Sequence, residues 1–203
     1  MTGKARVENT LTRNMSSLPL QTQRLTLRAY TLADISALVP LIGAREVAAT
    51  TLRIPYPYTE EIAGKFIALA EKDMASGQCV RCGIILRQTG ELCGGIGLQI
   101  EADHRRAELG YWIGVPHWGN GYATEAARAM VKYGFETLHL QRIFASYVPR
   151  NVASGNVLRK IGMLREGYLR AHILKWGEFL DLEMYGMLAA DWKSLAVSAS
   201  ESQ

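Results

Sequence analysis

The chain has 203 residues, of which 48% are hydrophobic and 21% charged, and its formal net charge is +4 at pH 7. This length and composition are typical of one globular domain with a sizeable core, and they exclude disorder over most of the chain. No segment approaches the run of about eighteen apolar residues that a transmembrane helix needs. Residues 1–19 are polar and lack the apolar core of a secretory signal, so we expect a flexible N-terminal arm there.

The positive charge is mild, and no run of Lys or Arg forms a nucleic-acid-binding arm. The densest basic cluster is His104-Arg105-Arg106, which we interpret as the charged tip of a hairpin. We therefore expect no direct nucleic-acid partner and no membrane partner. A mild positive field would still attract an anionic cofactor or an RNA-rich assembly.

The cysteines are Cys79, Cys82 and Cys93, and the first two have the spacing of a CxxC pair. A zinc site would need a second pair or a nearby histidine, and the sequence around them has neither. Their apolar surroundings predict a strand with reduced thiols packed as small hydrophobic side chains. The sequence therefore predicts no metal and a reducing, cytoplasmic location.

Apolar alternation predicts strands, and caps and turn residues predict where helices begin and end. Asn151 has the position of a helix N-cap, and Gly162 suits the end of the same helix. In chain order we predict a strand at 24–28, a helix at 31–42, a short helix and loop at 43–58, a helix at 59–77, strands at 80–87, 91–100 and 106–115, a helix at 121–137, a strand at 142–148, a helix at 151–162, and strands at 164–176 and 179–188.

The helix at 121–137 is the clearest element. One face carries the polar side chains Glu125, Arg128, Lys132 and Glu136, which predicts a solvated stripe. The opposite face has Ala123, Ala127, Met130 and Gly134, whose small size would let the helix lie close to a sheet. The whole pattern predicts an α+β fold with strand-helix-strand units late in the chain.

The segment 116–124 lies between a strand end and a helix start, where free backbone N–H groups and the positive end of the helix dipole attract an anion. Gly119 and Gly121 remove side chains where a pyrophosphate must approach closely. The segment lacks the Gly-Lys-Ser/Thr of a P-loop. Thr124 replaces the third small residue of a dinucleotide fingerprint. A purely structural glycine turn remains open on spacing alone.

Three segments resemble the GCN5-related N-acetyltransferase (GNAT) superfamily, most closely its RimJ/RimL-type branch of ribosomal-protein N-terminal acetyltransferases. They are 107–113, 118–126, and 151–154 continued by 160–163, and their order and spacing also match. The resemblance covers about residues 20–192, which we take as one domain, with 193–203 as a C-terminal tail. It implies a GNAT fold, a mixed and mostly antiparallel seven-stranded sheet with splayed central strands flanked by helices.

The resemblance also implies acetyl-CoA as cosubstrate, with its pyrophosphate at 118–124. The superfamily places Arg or Gln where this chain has Trp118, and small residues at Gly121 and Ala123. Backbone N–H groups, more than a side chain, are therefore expected to hold the phosphates. The expected cofactor-binding residues are Ile113, Gly114, Val115, Trp118, Gly119, Asn120, Gly121, Tyr122, Ala123, Thr124, Asn151 and Ser154.

The resemblance implies that the acceptor amine attacks the thioester directly, without a covalent acetyl-enzyme intermediate. By resemblance, the pantetheine arm lies between 111–115 and 143–148, and backbone groups of 113–115 polarise the thioester carbonyl. Glu108, beside apolar residues of its strand, is the candidate base, acting directly or through water; an acid balancing nearby arginines is the alternative. Ser154 would protonate the leaving thiolate. The alternative is a serine in the first turn of the helix whose hydroxyl only hydrogen-bonds the backbone. The remaining candidates are Asn151, which both caps a helix and borders the cleft, and Tyr168 and His172 on the acceptor side.

The acceptor is expected to be a primary amine. An α-amino group has a pKa of about 7.7–8.0 against about 10.4 for lysine, so its deprotonation costs roughly 3.5 kcal/mol less and favours a protein N-terminus. A small-molecule amine such as an amino acid, polyamine or antibiotic is the alternative, and a non-catalytic CoA sensor is a third. Residues 45–58 are expected to shape the acceptor pocket. The chain is expected to be a monomer or homodimer.

Overall fold

A computed structural model describes residues 18–200, the last five as backbone only. The helices are α1 (Ile35–Ile42), α2 (Arg45–Thr50), α3 (Glu60–Ala75), α4 (Tyr122–Glu136), α5 (Val152–Lys160) and α6 (Ala189–Ser200). The strands are β1 (Leu20–Gln21), β2 (Leu25–Ala29), β3 (Cys79–Leu86), β4 (Leu92–Glu101), β5 (Arg106–Ile113), β6 (Arg142–Tyr147), β7 (Leu164–Lys175) and β8 (Glu178–Leu188).

The strands form one sheet of eight, in the order β1-β2-β3-β4-β5-β6-β8-β7. Only β5 and β6 are parallel neighbours, and every other pair in the sheet is antiparallel. The expected mixed α+β fold is confirmed. The expected count of seven strands is one too low, because the two-residue β1 pairs with β2 where no strand was predicted.

The parallel pair separates soon after it forms. β5 and β6 are in register at only three positions, from Arg106 opposite Arg142 to Glu108 opposite Phe144. β5 continues to Ile113 along β4, and β6 continues to Tyr147 along β8. A wedge-shaped gap therefore opens in the middle of the sheet, as the resemblance implied.

Helices cover both faces of the sheet. On one face α4 and α5 pack against the main core, which includes Ala127, Met130 and Ile143. On the other, α1 and α3 pack over a second core with Leu38 and Ile67. β5 alternates between them, since Tyr111 and Ile113 contact the main core and Trp112 contacts the second. By the same alternation Glu108 shares the face of Trp112.

All three cysteines are free and buried, as the sequence predicts. Burial raises the pKa of the Cys79 thiol to about 11. It raises the pKa of Cys82 and of Cys93 to about 12. These thiols are therefore protonated at neutral pH, and they act as small core side chains.

The ends of the described chain pack against the domain. Most of the expected arm, residues 1–17, lies outside the described range, but Leu18 contacts the main core. α6 continues past Trp192, where the C-terminal tail was expected to begin. It does so because the Trp192 indole donates to Glu136 at 3.1 Å and Leu195 lies against Gly162. Within the described residues, no helix is long and apolar enough to cross a bilayer.

We predict that Gly134→Val destabilises the protein, because a Cβ at Gly134 would lie 2.6 Å from Ile143 Cδ1 and 3.2 Å from Leu98 Cδ1. Overpacking of this kind costs about 1–3 kcal/mol in the free energy of unfolding, measured by urea denaturation. The control is Gly64→Ala in α3, where no atom lies within 4 Å of the added Cβ. Helix propensity alone should stabilise that variant by about 0.5–1 kcal/mol. Equal stability of Gly134→Val and wild type would contradict the close packing of α4.

Candidate functional site

A cavity of about 1070 Å³ lies at the gap between β5 and β6. Its walls come from β4, β5 and β6, the start of α4, the first turns of α5, and the loop 50–55. Side chains from both faces of β5, including Glu108, Tyr111 and Trp112, line it. The cavity therefore brings both faces of the split sheet into one space.

The 116–124 loop forms one wall. β5 ends at Ile113 rather than at the predicted Val115, because Val115–His117 turn into a single 3₁₀ helix with Pro116 in its first turn. Gly119 and Gly121 have φ of +78° and +77°, a left-handed conformation that other residues rarely adopt. The Asn120 side chain donates to the carbonyls of His117 and Trp118, both at 3.1 Å, and so closes the loop on itself.

This loop leaves a row of backbone N–H groups without acceptors. Helix α4 begins at Tyr122, so its first N–H groups have no partner within the helix. Over residues 18–195 no acceptor pairs with these amides, and they lie at the positive end of a 15-residue helix dipole. The arrangement suits a phosphate group. The amides are those of Gly119, Asn120, Gly121, Tyr122, Ala123 and Thr124.

The loop is held in place by the short segment 22–24 between β1 and β2. Arg24 lies over the Tyr122 ring at 4.9 Å, donates to the Asn120 carbonyl at 3.0 Å, and pairs with Glu125 at 2.7 Å. Burial acts to raise the pKa of Glu125, but hydrogen bonds from Thr22 and Arg24 outweigh it and leave that pKa below its ordinary value. The prediction that Glu125 belongs to a solvated stripe is therefore wrong, because its carboxylate ties α4 to the segment 22–24 before β2.

The end of β5 offers fewer free backbone groups than expected. The Gly114 N–H donates to the Cys93 carbonyl at 2.9 Å, so this amide cannot polarise a thioester. The Trp118 indole donates to the Ile113 carbonyl at 2.6 Å. Because backbone groups alternate along an antiparallel strand, the Ile113 N–H faces the gap. The Val115 N–H has no acceptor among the described residues.

The open part of the gap is shorter than predicted. Ile143 and Phe144 still pair with β5, so the strands are apart only from Leu109 on one side and Ala145 on the other. A pantetheine arm placed here would lie between these two segments, and both segments line the cavity.

The candidates Asn151 and Ser154 lie on the α5 side of the gap. Asn151 Oδ1 accepts the Ser154 N–H at 3.2 Å as the helix cap, and Asn151 Nδ2 donates to the Thr50 carbonyl at 3.2 Å. Ser154 Oγ lies 2.8 Å from the Tyr111 hydroxyl. Burial raises the pKa of Tyr111 to about 12, so its hydroxyl is protonated at neutral pH. Our sequence analysis missed Tyr111, although its place on the main-core face of β5 points it toward α5.

Glu108 lies on the opposite face of β5 from Ser154. Its Oε2 accepts a hydrogen bond from Arg53 Nη2 at 2.6 Å, and its Oε1 is 3.4 Å from Ser146 Oγ. The carboxylate is partly buried and lines the cavity. The site therefore has a carboxylate on one side of the gap and a hydroxyl pair on the other.

The family model for the acetyltransferase (GNAT) domain matches residues 24–164. The chain belongs to the GNAT family. It is an N-acetyltransferase of the GNAT type, and its resemblance to the RimJ/RimL type is confirmed by its relatives.

An uncharacterized N-acetyltransferase, p20 of Bacillus licheniformis, is 34% identical over 175 residues, covering 85% of this chain and 97% of p20. The Escherichia coli enzyme named [ribosomal protein uS5]-alanine N-acetyltransferase is 37% identical, over 41% of this chain and 43% of that one. The solved structure of RimL, a ribosomal L7/L12 α-N-protein acetyltransferase in complex with coenzyme A, shares the fold with a TM-score of 0.77 at 20% identity, covering 84% of this chain and 97% of RimL.

Two predicted residues of this GNAT domain lie away from the cavity. Tyr168 and His172 project from β7, the edge strand, with β8 between it and β6. Neither lines the cavity, and the Tyr168 hydroxyl donates to Asp181 at 2.6 Å. The structure therefore does not bring them to the cavity, since β8 lies between β6 and β7, which the chain order of the strands did not indicate.

The loop 51–58 of this GNAT domain is fastened by the β7–β8 hairpin. Lys175 is 8% exposed, and its Nζ donates to the carbonyls of Ala48 and Thr51 at the end of α2. Desolvation lowers the pKa of Lys175, with a further contribution from Arg150. The Tyr56 and Trp176 rings meet edge to face at 5.9 Å. The loop over Glu108 is therefore held by contacts more than a hundred residues away in sequence.

His, Cys, Asp and Glu side chains do not gather into a group of three suited to a metal ion anywhere in the described part of the chain.

We predict that Gly119→Ala weakens coenzyme A binding at least tenfold by calorimetry, because a Cβ strains the left-handed φ that presents the free amides. The control is Gly90→Ala in the β3–β4 turn, which has nearly the same φ, +77° against +78°, and also has open space around its Cβ. Both variants should lose about 1–2 kcal/mol of stability, but only Gly119→Ala should lose affinity. Unchanged affinity in Gly119→Ala would contradict the anion site.

We predict that Lys175→Met destabilises the protein by about 1–3 kcal/mol, because two buried carbonyls lose their donor. Lys65→Met, at an exposed i,i+4 pair, should change stability by less than about 0.5 kcal/mol. Because the pKa of Lys175 is lowered on folding, wild type gains stability as pH rises from that lowered pKa toward the ordinary 10.5. The free-energy difference between wild type and Lys175→Met should therefore grow with pH in this range. A difference that shrinks would contradict the desolvated ammonium.

Proposed function

We propose that this enzyme transfers the acetyl group of acetyl-CoA to the N-terminal α-amino group of a protein, with a ribosomal protein as the leading candidate. The acceptor amine would attack the thioester directly in a ternary complex. The observation that carries the proposal is that Glu108 and the Ser154–Tyr111 pair face one cavity from opposite faces of β5. Glu108 can then take a proton from the amine, while the Ser154–Tyr111 pair gives a proton to the thiolate.

The cofactor side fits the diphosphate and pantetheine parts of acetyl-CoA. The amides of residues 119–124 would bind the pyrophosphate, and the gap beyond Glu108 would hold the arm. The Ile113 N–H, which faces the gap, is the backbone donor best placed for the arm. The Trp118 side chain supports the loop through its bond to Ile113 rather than by replacing a basic residue.

Glu108 is the proposed base. The reacting amine must be neutral, and a carboxylate within reach of the cavity can accept its proton, directly or through one water. Its contact with Ser146 Oγ at 3.4 Å is long for a hydrogen bond, so Oε1 is available to the amine.

Ser154 is the proposed acid. The Tyr111 hydroxyl lies 3.1 Å from the Ser154 carbonyl, to which it can donate, and 2.8 Å from Ser154 Oγ. When its proton points to Oγ instead, the Ser154 proton is free to point at the sulfur. Asn151 fixes this serine by capping the helix it belongs to. As the thiolate leaves, it would take the Ser154 proton, while Tyr111 hydrogen-bonds the Ser154 oxygen. The lost proton would then be replaced from solvent through the cavity, so that both hydroxyls end protonated.

The charge around the cavity favours an N-terminus over a polyamine. Among the described residues lining it, Glu108 is the only acidic side chain, whereas the Lys and Arg side chains there are Arg53, Arg81, Arg150 and Lys160. A polycation would be repelled by this lining. The E. coli relative named for ribosomal protein uS5 adds support over the segment that it shares with this chain. A ribosomal acceptor also implies the predicted cytoplasmic location.

We predict that Glu108→Gln lowers kcat/KM about 10²-fold or more and that Ser154→Ala lowers it about tenfold to a hundredfold, through loss of proton transfer. Coenzyme A affinity measured by calorimetry should stay within about twofold in Glu108→Gln, since that side chain is on the acceptor side. The matched control for Ser154→Ala is Ser76→Ala at the exposed end of α3, which should keep wild-type turnover. Wild-type kcat/KM in both active-site variants would overturn these roles.

The acceptor is tested with a thiol-release assay on acetyl-CoA against N-terminal peptides of ribosomal proteins and a panel of small amines. Turnover on free α-amino peptides, and none on the same peptides with a blocked N-terminus and a free lysine, supports the proposal. Turnover on small amines alone would replace it with the small-molecule alternative. Tight coenzyme A binding without thiol release on any amine would favour a sensor.

A further inference from the structure

We infer that Arg53 selects the acceptor by charge, favouring a peptide with an acidic side chain at its second residue and disfavouring a basic one. The inference rests on the proposed function, because it assumes that a peptide N-terminus lies at Glu108. Arg53 lies in the segment 45–58, which was expected to shape the acceptor pocket, but no role was assigned to any residue in it.

The starting observation is the Arg53–Glu108 ion pair, with Nη2 and Oε2 separated by 2.6 Å. The two side chains differ in exposure, 72% for Arg53 and 20% for Glu108. The guanidinium therefore stands at the outer end of the pair and the carboxylate at the inner end. An acceptor that enters on the Arg53 side therefore meets the guanidinium before it meets the carboxylate.

The acceptor amine has two ways to reach the carboxylate. It can use Oε1, where Ser146 Oγ is 3.4 Å away, or it can displace Arg53 from Oε2. In both cases the guanidinium starts from a position 2.6 Å from Oε2 of the carboxylate that receives the N-terminus. The peptide chain runs outward from the bound N-terminus past Arg53, at the entrance of the cavity. The side chain of the second residue is therefore the one expected to come within reach of this arginine.

The backbone at Arg53 is fixed although its side chain is exposed. The neighbouring Thr51 carbonyl accepts from Lys175, and Leu52 packs against Val148, Leu180 and Leu182. The positive charge therefore stays at the mouth when its partner is engaged elsewhere. A mobile loop would instead carry the charge away.

The other charges of the acceptor side have partners of their own. Arg81 lies 3.7 Å from Asp73 and donates to Gln99, and Arg150 lies 3.3 Å from Glu178. Once an ammonium group occupies Glu108, Arg53 is the cation that has lost its partner. A planar guanidinium binds a carboxylate through two parallel hydrogen bonds, so an acidic side chain restores the lost pair and a lysine is repelled.

The test uses three peptides that begin with alanine and differ only in their second residue, Glu, Gln or Lys. For wild type we expect kcat/KM to be about fivefold to tenfold higher with Glu than with Lys, the size of a partly exposed charge interaction. Arg53→Gln should bring the ratio to about one, and Arg53→Glu should invert it. The control Arg45→Gln removes an exposed arginine of α2 outside the cavity lining and should keep the wild-type ratio.

Thermal unfolding of each variant checks that the fold is kept, and the ratio within one variant does not depend on how much protein is active. A wild-type ratio near one, or the same ratio in wild type, Arg53→Gln and Arg53→Glu, overturns the inference while the proposed function stands. A wild type that acetylates small amines but none of the peptides overturns the proposed function itself.

Discussion

The separation of β5 from β6 after three paired residues is the constraint on which the site depends. Two parallel strands that part in the middle of a sheet leave backbone N–H and C=O groups without partners, and buried backbone groups need partners. The protein satisfies one of them with a side chain, since the Trp118 indole bonds the Ile113 carbonyl. The remaining groups face a cavity, where a ligand with amides of its own can complete the interrupted ladder.

The same strand separates the two halves of the chemistry. Because successive side chains of β5 point to opposite faces, Glu108 faces the second core and Tyr111 faces α5. The proposed proton acceptor and the proposed proton donor are then kept apart by the sheet and meet only across the gap. A base and an acid in direct contact would exchange their proton with each other, whereas this arrangement leaves the reacting carbonyl between them.

Sequence patterns predicted the elements well, because caps, glycine turns and alternation are local signals. The helix start that carries Asn151 and Ser154 was predictable for that reason, whereas their place at the site came from the family resemblance. The loop amides were predictable because Gly119 and Gly121 fix the backbone there. Their roles stay predictions until a ligand is measured at the site.

Contacts between distant segments were not predictable in this way. Lys175 fastens a loop 124 residues earlier in the chain, and Arg53 meets Glu108 across 55 residues. Tyr168 and His172 lie away from the cavity because strand order in the sheet departs from chain order. Gly114 was assigned to the cofactor, but its amide completes the ladder with β4. In each case a residue or strand distant in sequence determined which contact the side chain or amide makes.

The most direct measurement is backbone amide hydrogen exchange with and without coenzyme A. If the split sheet and the start of α4 hold the cofactor, exchange should slow at the amides of residues 119–124 and at Ile113, and change little in β7 and α3. Slowed exchange elsewhere, with the 119–124 amides unchanged at saturating coenzyme A, would contradict the proposed binding mode.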